Sequence, residues 1–187
     1  MNPHIFELTP FTVVGYTSRH AKENMKNTAD APTFWNTINL DYGPILTKLY
    51  DAFPKSKHCE ISMCYNVDEN TGEFTYILGR GIDNPADLIN IEPGMTRIDI
   101  TGGLYAIFST PPVFDSYIKA AQDTWNEIFL NWLPQSEFEY DETRHDFEYH
   151  DERDHGKYFG GKLQIDICIP IRQREEEIRK SQLRTGG

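Results

Sequence analysis

Apolar and polar residues recur along this chain with two periods, and the order of those periods predicts its elements. From Ile5 to Thr17 a bend at Pro10 precedes the β-branched run Thr12-Val13-Val14, which predicts a strand. The polar piece from Arg19 to Ala31 reads as a loop. From Pro32 the apolar positions Phe34, Trp35, Ile38, Ile45, Leu46, Leu49 and Phe53 follow helical spacing, with Gly43-Pro44 placed to kink the helix and Pro54 to end it. Glu60 to Val67 and Phe74 to Ile82 predict a hairpin across the turn residues DENTG. A second pair, Met95 to Ile100 and Leu104 to Ser109, is joined through Thr101-Gly102-Gly103.

The periods then repeat. Thr110-Pro111 has the chemistry of a helix start and Asp115 suits its positive end. Phe114, Tyr117, Ala121, Trp125, Ile128, Phe129 and Trp132 mark one face of a long helix expected to stop at Pro134. A strand near Phe147 and another from Lys162 to Ile171 follow. Strand, helix, strand, strand occurs twice, with one connecting strand between. That order predicts an α+β domain over residues 1–172, with halves of about 1–92 and 93–172. It also predicts an antiparallel sheet with helices on one side, a groove at the seam, and a charged tail over 173–187.

Composition narrows the function. A net charge of −11 and a pI of about 4.9 repel phosphate backbones, so no direct nucleic-acid binding is expected and a cationic ligand is favoured. No apolar run of about 18 residues and no signal-peptide pattern occur, so the expectation is a cytoplasmic protein without membrane contact. Cys59, Cys64 and Cys168 lack zinc-site spacing and read as reduced, packed thiols. No metal and no cofactor are expected.

Among candidate functional residues Asp166 stands out. In KLQIDICIPI, Leu163, Ile165, Ile167 and Ile169 alternate onto one face and Lys162, Gln164, Asp166 and Cys168 onto the other. Asp166 is then either part of a solvated sheet face or a pocket anion that pairs with a cation or moves a proton. Tyr65, Tyr76 and Tyr105 fall on three predicted strands, where they pack or wall a flat ligand. Trp35, Trp125 and Trp132 lie on apolar helix faces; Trp35 and Trp132 are near enough to helix ends to reach a groove rim. Glu137 to Asp154 holds nine carboxylates, mostly a solvated loop, yet Glu148 lies between Phe147 and Tyr149 where it can point inward. A nucleophilic enzyme lacks its GxSxG turn, and Gly79-Arg80-Gly81 and Gly160-Gly161 read as turns or bulges.

The succession PFTVVGY, FTYILGRGID, GGLYAIFS, TWNEIFLNWLPQSEFEY, DFEYH and IDICIPI resembles the GyrI-like, AraC-type effector-binding family, a SOUL-like fold. The resemblance implies pseudo-twofold halves around a groove that binds hydrophobic, often cationic aromatic compounds, as in multidrug-responsive transcription activators. The length matches the stand-alone branch without a DNA-binding part. It also implies that Asp166, Tyr105, Trp35 and Tyr65 line the groove, with Glu148 on the family's Glu-x-Tyr strand. Cys168, Tyr76 and Trp132 complete the expected ligand set, and Asp166 and Glu148 are the candidates for any catalysis. The alternatives it brings are a hydrolase of cyclopropanoid or other electrophilic compounds and a gyrase-inhibitor-type module whose partner is a regulator or gyrase.

Overall fold

A computed structural model describes residues 1–20, 43–54, 59–115, 117–155 and 160–174. The expected opening strand is two: β1 (His4–Leu8) and β2 (Phe11–His20), with Pro10 in the break where it costs no ladder bond. Residues 43–52 form helix α1, whose Leu49, together with Phe53 just beyond, is buried against Val14 and Ile82; the part expected to precede it, with Trp35, lies outside the described residues. β3 (Glu60–Tyr65) and β4 (Phe74–Ile82) form the expected hairpin. In their turn Asp68 accepts from the amides of Asn70 and Thr71, and Gly72 takes the left-handed conformation. A 3₁₀ turn, Pro85–Asn90, capped by Asn84, stands where the sequence showed only loop. β5 (Thr96–Ile100) and β6 (Gly103–Ser109) follow.

The second helix begins later than Thr110-Pro111 predicts. The Thr110 hydroxyl instead accepts the Ile165 amide, and Val113 bridges to Leu163, which keeps this segment extended and leaves Phe114 exposed. Helix α2 (Tyr117–Glu127) widens into a π turn over Ile128–Trp132 and ends in Leu133–Gln135, so Pro134 lies inside the short final turn, directly after the π widening, rather than beyond the helix end. Short β7 (Phe138–Tyr140), β8 (Phe147–His150) and β9 (Asp166–Gln173) complete the chain.

All strand pairs are antiparallel, and the sheet runs β1-β6-β9-β8-β3-β4-β2-β5, with β7 added to the end of β9. Outward from the central β8/β3 pair the order is symmetric: β9, β6 and β1 on one side, β4, β2 and β5 on the other. The halves are interlocked, because β1 edges the second half and β5 the first. Gly79-Arg80-Gly81, read as a turn or bulge within the Phe74 to Ile82 run, lies inside β4 as regular strand. Gly79 faces Gly15 there, and a Cβ on Gly15 would stand 2.2 Å from the Leu78 carbonyl oxygen, so β2 and β4 approach where neither has a side chain.

The sheet is a curled half-barrel. Val13 and Ile100 near one edge pack in one cluster with Tyr105, Phe147 and Cys168, and the Phe11 and Phe147 rings meet edge-on at 5.7 Å. The other face carries both helices: α1 on Val14 and Ile82, and α2 through Ile128 on Ala106, Phe108, Ile167 and Ile169.

Candidate functional site

At the centre of the helix-bearing face, β3 and β8 lie side by side, with Ser62 opposite Glu148 and Glu60 opposite His150. Strand parity turns Glu60, Ser62, Glu148 and His150 toward the helices, and all four are buried. Tyr76 and Arg80 join them from β4, Tyr50 from α1, and Tyr117 and Trp125 from α2. Tyr50, Tyr117 and Trp125 are only half-buried, so rings frame the site while the carboxylates form its floor.

Glu148 accepts from neutral donors, the Trp125 indole N–H at 2.9 Å on Oε1 and the Ser62 hydroxyl at 3.1 Å on Oε2. Among the described residues no lysine or arginine pairs with it; His150 Nε2 is 3.8 Å away. Glu60 accepts the Tyr50 hydroxyl at 2.7 Å, sits opposite Arg80 in the ladder and lies 3.7 Å from His155. The Arg80 guanidinium stacks 4.1 Å from the centre of the Tyr50 ring and donates to the Phe53 carbonyl.

The field here is negative. Burial and then Glu148 push the Tyr76 phenol up, and burial, Glu148 and Asp146 push the Cys64 thiol up to about 12. Burial pushes Tyr117 up, with Asp154, Glu148 and Glu60 adding to it. For His150 burial alone favours the neutral ring, but Asp154, Glu148 and Glu60 outweigh it and hold the imidazole pKa above its usual value.

Ser62, His150 and Asp154 stand in file, with Oγ 3.2 Å from Nε2 and Nδ1 3.0 Å from the Asp154 carboxylate. The order is that of a hydrolytic triad, but the surroundings do not activate a nucleophile. The Ser62 hydroxyl donates to Glu148, so at 3.2 Å His150 Nε2 is its donor rather than a base waiting to accept from it. Ser62 is also paired on both sides, with Leu78 and Glu148, so its backbone is committed to the ladder rather than to an oxyanion hole.

The expected groove residues do not share one face. Because Tyr149 is the partner of Asp166 and Glu148 that of Ile167, Glu148 and Asp166 point to opposite sides of the sheet. Tyr76 stands with Glu148. Asp166, Cys168, Tyr65 and Tyr105 lie on the other face, where Asp166 and Cys168 line a cavity of about 330 Å3. There Asp166 is already matched: Arg153 pairs with it at 2.5 Å and Ser109 donates at 2.6 Å, while Asp151 also holds Arg153. Tyr105 is fully buried, donates to the His145 carbonyl and lies under the Arg144 guanidinium, a packing role. Tyr65 packs edge-on against His145. Trp132 is wedged between Phe108 and Phe138 and fixes α2 to the sheet. The acidic loop is pinned rather than simply solvated, since Arg144 binds Asp141 and the carbonyls of Gly102, Leu104 and Ile171.

Sequence reasoning passed over Glu60, Ser62, His150, Tyr50, Tyr117 and Arg80, and assigned Trp125 to packing. A signal was present: EISMCY and FEYH each alternate polar and apolar positions, and pairing the two strands brings the polar sets together.

Residues 4–171 match the model of Cass2, the integron-associated effector binding protein family. The chain belongs to this GyrI-like family. The matched residues run from the start of β1 into β9. No curated protein sequence matches the chain significantly. Among solved structures, SAV2435 bound to tetraphenylphosphonium is similar at 15% identity and a TM-score of 0.61, over 92% of this chain and 94% of that one. The Vibrio cholerae integron cassette protein VCH_CASS2 is similar at 23% identity and a TM-score of 0.54, over 92% and 97%. A Listeria innocua hydrolase is similar at 9% identity and a TM-score of 0.50, over 91% and 92%. These likenesses are of fold, a curled antiparallel sheet with a few helices. Among the described residues no helix is long and apolar enough to cross a membrane.

Proposed function

We propose that this effector-binding protein takes up hydrophobic aromatic cations between its two helices, over the Glu148–Glu60 floor, so as to sense or sequester them. The observation that carries the reading is Glu148: a buried carboxylate at the centre of the sheet, held by a tryptophan N–H and a serine hydroxyl, with no lysine or arginine partner among the described residues. A charge kept in that state is costly unless a cation completes it, and the one beside it, His150 at 3.8 Å, does so only while its ring is protonated. Tyr50, Tyr117 and Trp125 supply ring faces for the apolar body of such a cation. The similar SAV2435 was solved with tetraphenylphosphonium, a compound of this class. Both Glu148 oxygens already receive protein donors, which suits a fixed charge better than a proton acceptor and favours binding over hydrolysis.

Titration calorimetry with tetraphenylphosphonium and with neutral triphenylphosphine oxide tests this. Glu148→Gln is expected to weaken the cation by about 2 kcal/mol or more, roughly thirtyfold, while leaving the neutral compound nearly unchanged. Equal loss for both, or none for either, would overturn the assignment. Asp166→Asn, on the opposite face and already paired with Arg153, is expected to leave the cation's affinity unaltered.

A further inference from the structure

The cavity on the other face of the sheet is a separate chamber. Its walls are Phe6 and Leu8 of β1, Phe11 of β2, Ile107 of β6, and Phe147 and Tyr149 of β8. At about 330 Å3 it is at the small end of ligand pockets. The sheet lies between it and the Glu148 site, so the two cannot share a ligand.

Its polar groups are few and differ in state. Asp166 is paired with the Arg153 guanidinium and accepts the Ser109 hydroxyl. Asp83, at the end of β4, also lines the cavity, is exposed, and has no ion-pair or hydrogen-bond partner among the described residues. Cys59 and Cys168 line it as well. Burial pushes the Cys59 thiol up, and burial with Asp166 pushes Cys168 well up, so at neutral pH both are thiols and the chamber is not built for thiolate attack.

We propose that this chamber is a second ligand site, specific for compact arylalkylamines: an aromatic body against the Phe11, Phe147 and Tyr149 rings that line it, with the ammonium group at Asp83. Apolar walls select the ring system, and Asp83 at the mouth, the lining carboxylate without an ion-pair partner among the described residues, selects the charge in a protein of net charge −11.

The three thiols report which face is occupied, because Cys59 and Cys168 line this chamber whereas Cys64 lies on the helix face, packed with Phe74 and Tyr76. Alkylation by N-ethylmaleimide at alkaline pH, followed residue by residue by mass spectrometry, is run with 2-(1-naphthyl)ethylamine and with its neutral isostere 2-(1-naphthyl)ethanol. The amine is expected to slow Cys59 and Cys168 while leaving Cys64 unchanged, in the wild type and in Glu148→Gln alike. It is expected to bind about two- to fivefold more tightly than the alcohol, a margin that Asp83→Asn removes. Ile107→Trp, which fills the chamber, is expected to abolish protection. If that variant fails to fold, Phe6→Ser at the exposed edge strand, which opens the wall, is expected to weaken it. Absence of protection at Cys59 and Cys168, protection confined to Cys64, protection undiminished by the wall variants, or equal affinity for amine and alcohol would each overturn the proposal. Loss of tetraphenylphosphonium binding in Glu148→Gln bears only on the helix-side site.

Discussion

At the scale of single residues, Glu148 and His150 set the behaviour of the helix-side site. Trp125→Phe keeps the ring but removes the donor to Glu148 Oε1, leaving a buried carboxylate oxygen without it. The expected cost is about 1–3 kcal/mol of stability, read as a lower urea midpoint at unchanged slope. His150 adds a pH dependence whose sign follows from its raised pKa. The proton held by Asp154, Glu148 and Glu60 stabilises the fold fully below the unfolded histidine's pKa, and that contribution is lost as pH rises through the higher folded value. The cation should respond in the opposite sense. A charged imidazole 3.8 Å from Glu148 competes for the same carboxylate, so tetraphenylphosphonium is expected to bind more tightly as His150 loses its proton and to displace that proton on binding. Calorimetry in buffers of different ionisation heat measures the proton release. His150→Gln, which removes the titration, is expected to flatten the profile, and an unchanged profile would assign it to another group.

At the scale of elements, β2 and β4 carry the curl of the first half-sheet through paired glycines. A Cβ on Gly79 would lie 2.7 Å from Val13 Cγ1 and 2.8 Å from the Val14 carbonyl oxygen, and at Gly15 the clash is with the Leu78 backbone. Gly15→Ala is therefore expected to cost about 2 kcal/mol or more, visible in the denaturation midpoint, because backbone rather than a flexible side chain must move. These glycines show what was legible. Element types followed from period, and the duplicated strand-helix-strand-strand order gave the sheet, because both signals are local. Whether GRG interrupted its predicted strand as a bulge or ran through it regularly was not local: it depended on Gly15, some sixty residues away, arriving opposite Gly79. The helix-side cluster was legible only in part, for the same reason. Glu148 was singled out as able to point inward, but Glu60, Ser62 and His150 occupied ordinary alternating positions, and only the β3/β8 register brought them to it. Asp166 drew notice as a lone carboxylate among isoleucines, but its Arg153 partner was hidden in a charge-rich loop.

At the scale of the whole molecule, the exchanged edges decide how the two sites depend on each other. β1 pairs with β6 and supplies Phe6 and Leu8 to the chamber, while β5, on the far edge, brings Ile100 and Ile98 into the cluster that holds Tyr105 and Phe147. A half cut at residue 92 would thus keep an edge strand of the other half and lose its own. The two halves are expected to unfold as one cooperative unit, with neither stable alone. Deleting residues 1–8 tests this without touching β5. Removing β1 bares the edge of β6 and takes Leu8 out of the shared cluster, so amide exchange is expected to quicken in β5 and β2 as well as in β6 and β9. The helix-side contacts of Glu148 with Ser62 and Trp125 lie on the opposite face and should loosen only through that global loss. Faster exchange confined to β6 and β9, with β5 and β2 still protected, would mean that the halves fold independently and that the interlock is topological rather than energetic.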